Sequence, residues 1–260
     1  MSILEAKNIS KSFGGLKAIS DLSFSIGKNE VIGIIGPNGA GKSTLFNMIT
    51  GIYPPDSGEI NFLGVDIHRL RTHKIVKLGI GRTFQNTRVI KSMTVLDNIM
   101  IGFHCRTHAG LYGAIFRNRK SIQEMNHMID KALDILKFLQ LEKKAWGLAA
   151  NLSHGEQRRM EIARALATEP RLILLDEPVA GMVVEEVQAF MQTIESIRRK
   201  EITIILIEHN MSAVMGISNR VIVLNFGRKI ADGIPDEIKE NPAVIEAYLG
   251  VTKSSVTKRA

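Results

Sequence analysis

Residues 36–44 read GPNGAGKST, a stretch whose residue types suit one kind of chemistry, the binding of phosphate. The spacing of Gly, four residues, then Gly-Lys-Ser is the P-loop pattern, and an apolar run precedes it while a helical pattern follows. Gly36, Gly39 and Gly41 let backbone N–H groups turn inward around an anion that side chains there would keep away. The start of the following helix adds its positive end to the same place. Across Gly36, Pro37, Asn38, Gly39, Ala40, Gly41, Lys42, Ser43 and Thr44 the chain thus offers a nucleotide-binding cradle. Lys42 is expected to reach the β and γ phosphates, and the Ser43 hydroxyl to ligate Mg²⁺.

A second constellation lies at residues 171–178, RLILLDEP. Four apolar residues carry a strand through the interior and deliver two acids at its C-terminal end, the edge where open α/β sheets bind ligands. Asp176 is placed to hold Mg²⁺, directly or through water, and Glu177 to orient and deprotonate an attacking water. Adjacent acids at a strand end are by themselves equally compatible with a solvated terminus. The cradle upstream favours the functional reading.

These residues need a sheet to present them. Val31 to Ile35 is a short wholly apolar run, as a strand buried on both faces requires. Ile3 to Ile9, Ile19 to Ile26 and Glu59 to Phe62 read as further strands of a β-rich opening third. A helix is predicted from about Ser43 to Thr50. From Thr94 to Ala165 the pattern is helical, with Met125, Met128, Ile129, Ala132, Leu133, Leu136 and Leu139 forming one apolar face expected to pack in the core. Arg106 to Lys120 has no clear period and reads as a mobile connection or a short helical insertion. The last third alternates again: strand Leu172 to Leu175, an amphipathic helix through Val187, Phe190, Met191, Ile194 and Ile197, strand Ile202 to Ile207, a helix near Met211, then strands near Val221 to Leu224 and Lys229 to Ala231. Such alternation predicts a parallel sheet wrapped by helices.

The 260 residues carry a formal charge of +8, with 45% hydrophobic and 23% charged residues, ordinary globular values. The basic residues are scattered and not interleaved with aromatics, so a solvated basic surface is expected and no nucleic-acid partner. Cys105 is the single cysteine, which excludes an intrachain disulfide and fits a reducing compartment. His104, Cys105 and His108 fall short of a closed zinc site. No secretory signal and no apolar run near the ~18 residues of a membrane span are visible, so any membrane role is expected to come through partners.

Residues 152–156 read LSHGE, followed by the helical stretch EQRRMEIARAL, about twenty residues before the acidic strand. This resembles the signature motif of the ABC ATPase family, and the resemblance runs from about Leu4 to Gly250. It implies an α/β P-loop NTPase fold of the ABC ATPase type: a mostly parallel core sheet, an antiparallel β subdomain and an α-helical signature subdomain. The expected division is a single domain over 1–251, with 1–86 and 166–251 as catalytic core and β subdomain and 87–165 as the helical subdomain. The tail 252–260 is read as disordered. Ser153, Gly155 and Glu156 would grip the γ-phosphate of ATP held by another subunit's P-loop, because a helix start exposes N–H groups and a hydroxyl. The same Ser153 reads as an N-cap with Glu156 completing a capping box, and the two roles are compatible. Gln85, in GRTFQ, resembles the glutamine that touches Mg²⁺ or the water and senses the membrane subunits. His209, in LIEHN, resembles the switch histidine that contacts the γ-phosphate, although a lone histidine is commonly structural. Phe13, in KSFGG, resembles the aromatic that stacks on adenine, although aromatics are commonly core. The family's Ser-Ala-Leu-Asp loop after the acidic strand is here Ala180, Gly181, Met182 and Val183, and Val183 can neither make the polar contact across a dimer nor cap the next helix.

KSFGGLKAI, GIGRTFQNTRVIKSMTVLDNIMIG and the C-terminal IPDEIKENPAVIEAYLG are similar to the larger ATPase subunit of branched-chain amino acid importers. That resemblance implies ATP with Mg²⁺ as cofactors, with ADP after turnover. It also implies a second identical or homologous ATPase subunit, transmembrane permease subunits, a solute-binding protein beyond them, and a place on the cytoplasmic face of the membrane. Subunits serving urea, amides or lipopolysaccharide are also similar. A soluble ABC ATPase acting on ribosomes or DNA would bring two ATPase units or a long coiled-coil insertion, and a small-molecule kinase has no use for LSHGE.

Overall fold

The computed structural model describes residues 2–84, 89–106 and 119–249. Gln85, His108, most of the 106–120 stretch and the tail at 252–260 lie outside the described residues. The chain divides into two compact units, Met1–Leu70 with Arg198–Ala260, and Arg71–Ile197.

In the first unit, β1 (Ser2–Phe13) and β2 (Leu16–Gly27) form an antiparallel hairpin, and β4 (Ser57–Phe62) and β5 (Val65–Asp66) extend it in the order β2-β1-β4-β5. The hairpin alternates inward and outward: Leu4, Ala6 and Ile9 on β1 and Ile19, Leu22, Phe24 and Ile26 on β2 are buried. The second sheet is built on β3 (Val31–Ile35), all five residues of which are buried. Parallel partners flank it on both sides, β8 (Thr203–Ile207), with Val31 opposite Ile204, and β9 (Arg220–Asn225), with Ile32 opposite Arg220. β10 (Arg228–Gly233) closes the edge antiparallel to β9. The apolar runs read from the sequence are these strands, and burial on both faces explains their lack of alternation. Helix α1 (Lys42–Ile49) follows β3. Two short C-terminal helices, α8 (Pro235–Glu240) and α9 (Pro242–Leu249), return toward β10. Their shortness hides any apolar period.

The second unit holds α2 (Thr72–Leu78) and β6 (Ile80–Arg82), which pairs parallel with β7 (Leu172–Asp176). Its helices are α3 (Val95–Phe103), α4 (Arg119–Phe138), α5 (His154–Leu166) and α6 (Val184–Arg198). α3 is fixed at its start by a capping box between Thr94 and Asp97. The apolar stripe on α4 is buried only toward its C-terminal end, at Ala132 and Leu136 and at Leu139 just beyond, where the helix meets α3 and α5. Met125 is exposed and Met128 half-buried, so the sequence overestimated how far the core extends along this helix. Among the described residues no helix is long and apolar enough to cross a membrane. Helix α7 (Met211–Ile217) of the first unit starts from Asn210, whose side chain accepts the Ala213 amide.

The β9–β10 hairpin is tied at its open end by charge. Arg220 Nε and Nη2 donate to the two oxygens of Asp232 at 2.6 and 2.8 Å, and Lys229 adds a third bond at 2.8 Å. Burial pushes the Asp232 carboxyl up, but Arg220 and Lys229 more than offset this and hold it below the usual carboxylate range. A carboxylate depressed in the folded state stabilises fully above its unfolded value, about 3.9, and loses that contribution as pH falls through the lower folded value. Asp232→Asn is therefore expected to lower Tm by roughly 1–4 °C near neutral pH. The gap between variant and parent should shrink steadily below about pH 4. Calorimetric scans of both proteins across that range check it, and a gap independent of pH would discount the pair.

Candidate nucleotide site

The first unit carries the phosphate cradle. β3 leads into Gly36, whose φ of 150° lies in the range that disfavours a side chain. A Cβ there would lie 2.1 Å from the Leu224 carbonyl oxygen, and one on Gly41, at φ 100°, would lie 2.5 Å from that of Ala18. Both glycines are thus required by close backbone approach. Gly41 also precedes α1 without any side-chain cap. An anion at the start of that helix would have no capping side chain to displace. Lys42 is only 6% exposed and lies along the inside of the loop. Its Nζ donates to the Gly36 carbonyl at 2.6 Å and the Pro37 carbonyl at 3.0 Å. The loop is also held from outside: the Gly227 amide, in the β9–β10 turn, donates to the Ala40 carbonyl at 3.0 Å, and the Ser20 amide to the Gly227 carbonyl at 2.8 Å.

Four aromatic or ring residues border this unit's loops. Phe13, at the end of β1, is 42% exposed and meets Tyr53 edge-on with ring centroids 5.2 Å apart. Tyr53 was not singled out from the sequence, because the stretch after α1 reads as a turn. His209 lies two residues past the end of β8 and is exposed, its amide donating at 3.1 Å to the carboxylate of Glu208, which is buried. Tyr248, on α9, contacts the Gly36 backbone; burial pushes its hydroxyl up, and that hydrogen bond opposes the rise. Nothing local in AYLG signals such a contact, since its partner lies near the other end of the chain.

The second unit holds the acids and the signature. Asp176, at the end of β7, is buried and its amide donates to the Thr83 hydroxyl at 3.3 Å. Arg82, at the end of β6, donates from Nη2 to Asp176 Oδ2 at 3.0 Å, a partner the sequence did not reveal. Glu177 is half-buried and adopts φ 47° immediately before Pro178. A non-glycine residue in the left-handed region costs on the order of 1–3 kcal/mol, and such strain tends to persist where geometry serves function.

Ser153 caps α5, and both halves of the capping box are present. Its hydroxyl accepts the Glu156 amide at 3.4 Å, and the Glu156 carboxylate accepts the Ser153 amide at 2.9 Å. Lys144 holds the same carboxylate at 2.7 Å and, with the Ser153 amide, keeps it below the usual carboxylate range against the effect of burial. Because the Ser153 oxygen is used as an acceptor, its O–H still has a proton to donate. A cleft of about 300 Å³ opens beside Ser153, Gly155, Arg159 and Glu186.

The Val183 difficulty has a structural answer. Val183 has no polar side chain, but Glu186, in the first turn of α6, accepts its amide at 3.2 Å. The other oxygen of Glu186 lies 3.3 Å from where a Cβ on Gly155 would stand. The start of α6 is thus satisfied from within its own first turn, which the expectation at Val183 had not foreseen.

The family model for ABC transporter matches residues 19–180. The chain belongs to that family. A second model, for a branched-chain amino acid ATP-binding cassette transporter, matches residues 228–253. Among curated relatives, the high-affinity branched-chain amino acid transport ATP-binding protein BraF of Pseudomonas aeruginosa is 39% identical over 95% of this chain and 98% of its own length. The probable branched-chain amino acid transport ATP-binding protein LivG of Methanocaldococcus jannaschii is 37% identical over 96% and 98%. Among solved structures, the ADP conformation of MJ1267, an ATP-binding cassette of an ABC transporter, superposes with TM-score 0.84 at 35% identity, covering 96% of this chain and all of the other. Dimeric MJ0796 in a post-hydrolysis state with ADP and Pi gives TM-score 0.73 at 25% identity, over 89% and 98%. The ABC cassette is accordingly an ATPase subunit of a transporter, and its fold is the α/β P-loop arrangement with antiparallel and helical subdomains that the motifs implied.

In the first unit the cradle excludes Cβ atoms at Gly36 and Gly41, no side chain caps the start of α1, and Ser43 is a hard oxygen donor of the kind Mg²⁺ prefers; in the second unit the Asp176 carboxylate is another. Taken separately, the donor groups of each unit are of the kind a magnesium nucleotide binds.

Proposed function

We propose that this ABC cassette binds and hydrolyses ATP to drive uptake of branched-chain amino acids, as one half of a dimer on the cytoplasmic face of the membrane. The observation that supports the mechanism is that one chain carries two loop-to-helix motifs suited to phosphate, GPNGAGKST before α1 and LSHGE before α5. A single cis site needs only the first. In this reading the second serves the nucleotide of a partner, identical or homologous.

In this reading Gly36, Pro37, Asn38, Gly39, Ala40, Gly41, Lys42, Ser43 and Thr44 wrap the phosphates, and Phe13 stacks on adenine. Ser43, Asp176 and Gln85 would hold Mg²⁺, which when bound shields phosphate charge. Glu177 takes the proton of the attacking water and His209 steadies the γ-phosphate. Ser153, Gly155 and Glu156 act across the dimer, the serine through its remaining O–H. Closing needs ATP in place, so hydrolysis lets the halves part and passes motion to permease subunits.

The solute assignment is supported by the C-terminal match over 228–253 and by the relatives' names. The test is reconstitution. The chain, co-purified with its permease subunits from a gentle detergent extract, is placed in proteoliposomes with the associated solute-binding protein. ATP hydrolysis is expected to rise when leucine is added and not when urea is. Stimulation by urea alone, or co-purification with nucleic acid and no membrane protein, rejects the assignment.

A further inference from the structure

β6 and β7 run parallel with Arg82 opposite Leu174, so the guanidinium reaches along its neighbour to the acid that ends that strand. The two side chains are 9% and 7% exposed. The guanidinium carbon lies 5.0 Å from the Phe84 ring centroid, and the next residue, Thr83, accepts the Asp176 amide. Consecutive residues of one strand end thus fix Asp176, Arg82 by its carboxylate and Thr83 by its backbone. Gln85 comes three residues after Arg82 in the chain.

We infer that Arg82 is a positioning residue that competes with the divalent cation for Asp176, coupling cation binding to the segment leading into Gln85. This rests on the reading of Asp176 as the Mg²⁺ carboxylate. A buried carboxylate attracts either cation, and each weakens the hold of the other. When Asp176 turns to the metal, the Arg82–Asp176 ion pair weakens and the strand end bearing Thr83 and Phe84 loses that anchor. By linkage the effect is reciprocal: weakening the Arg82 bond must strengthen the cation's contribution to nucleotide binding.

The test is the ratio of AMP-PNP dissociation constants in EDTA and in Mg²⁺, measured by calorimetry on the full chain. Arg82→Gln is expected to raise that ratio about tenfold while lowering Tm in the absence of nucleotide. Arg82→Lys, which keeps the charge as a less directional donor, should fold readily and give a ratio above the parent's but below that of Arg82→Gln. Asp176→Asn should bring the ratio toward one in every background. A ratio in both Arg82 variants equal to or below the parent's, whatever happens to Tm, makes Arg82 a strut only and overturns the inference. If Asp176→Asn leaves the parent's ratio intact, the assignment of Asp176 to the metal fails, and the inference falls with it.

Discussion

Glu177→Gln should yield a chain that still takes up ATP with Mg²⁺ yet turns it over at least about 100-fold more slowly. The amide keeps the size and the hydrogen-bonding oxygen of the carboxylate but cannot accept the water's proton. The backbone at Glu177 is in the left-handed region ahead of Pro178, and glutamine, unbranched at Cβ like glutamate, can occupy that turn as readily. The variant should therefore fold as the parent does. Its second expected property is an ATP-dependent dimer stable enough to survive gel filtration, because closing remains possible and the reaction that ends it does not. Single-turnover hydrolysis and light scattering measure the two effects separately. Undiminished hydrolysis removes Glu177 from the role of base; slow hydrolysis without a dimer would leave the base and discard the shared-nucleotide scheme.

Lys42→Ala should be as damaging at the binding step. The ammonium is buried against the Gly36 and Pro37 carbonyls, so the substitution removes both a cation for the phosphates and a clamp inside the loop. Losing one charged hydrogen bond predicts roughly 10- to 150-fold weaker nucleotide binding. Paired with Gly155→Asp, which puts a second carboxylate beside Glu186 at the signature, the variant becomes a test of sharing. Each protein alone is expected to be inactive. Mixed, and assuming self-pairing, half of the dimers hold one undamaged site, so roughly a quarter of the parent rate should return. A mixture as dead as its components would place both motifs on the same nucleotide.

What could be read without coordinates was whatever the chain encodes locally. β3, β7 and β8 are runs of apolar residues because both faces are buried, and GPNGAGKST, LDEP and LIEHN follow them directly, so strand and chemistry were legible together. LSHGE announced its own cap. The misses are relations between distant residues. β6 is only three residues long, too short for any period, and Arg82 gains its meaning from a carboxylate more than ninety positions later. Tyr53 matters through Phe13, and Glu186 through Val183 and Gly155. The apolar face of α4 was overread because periodicity reports that a face is apolar, not how much of its length finds a partner.

The order of strands around β3 bears on how the protein is made. The strand that carries the cradle is synthesised within the first 35 residues, but its neighbours are β8 and β9, which begin at Thr203 and Arg220. At 5–20 residues per second, on the order of ten to thirty seconds separate the emergence of β3 from that of its first flanking strand. Until then an entirely apolar pentapeptide has no edge to join. Nascent chains stalled before about residue 230 should therefore fail to hold nucleotide and should recruit chaperones, however complete their GPNGAGKST.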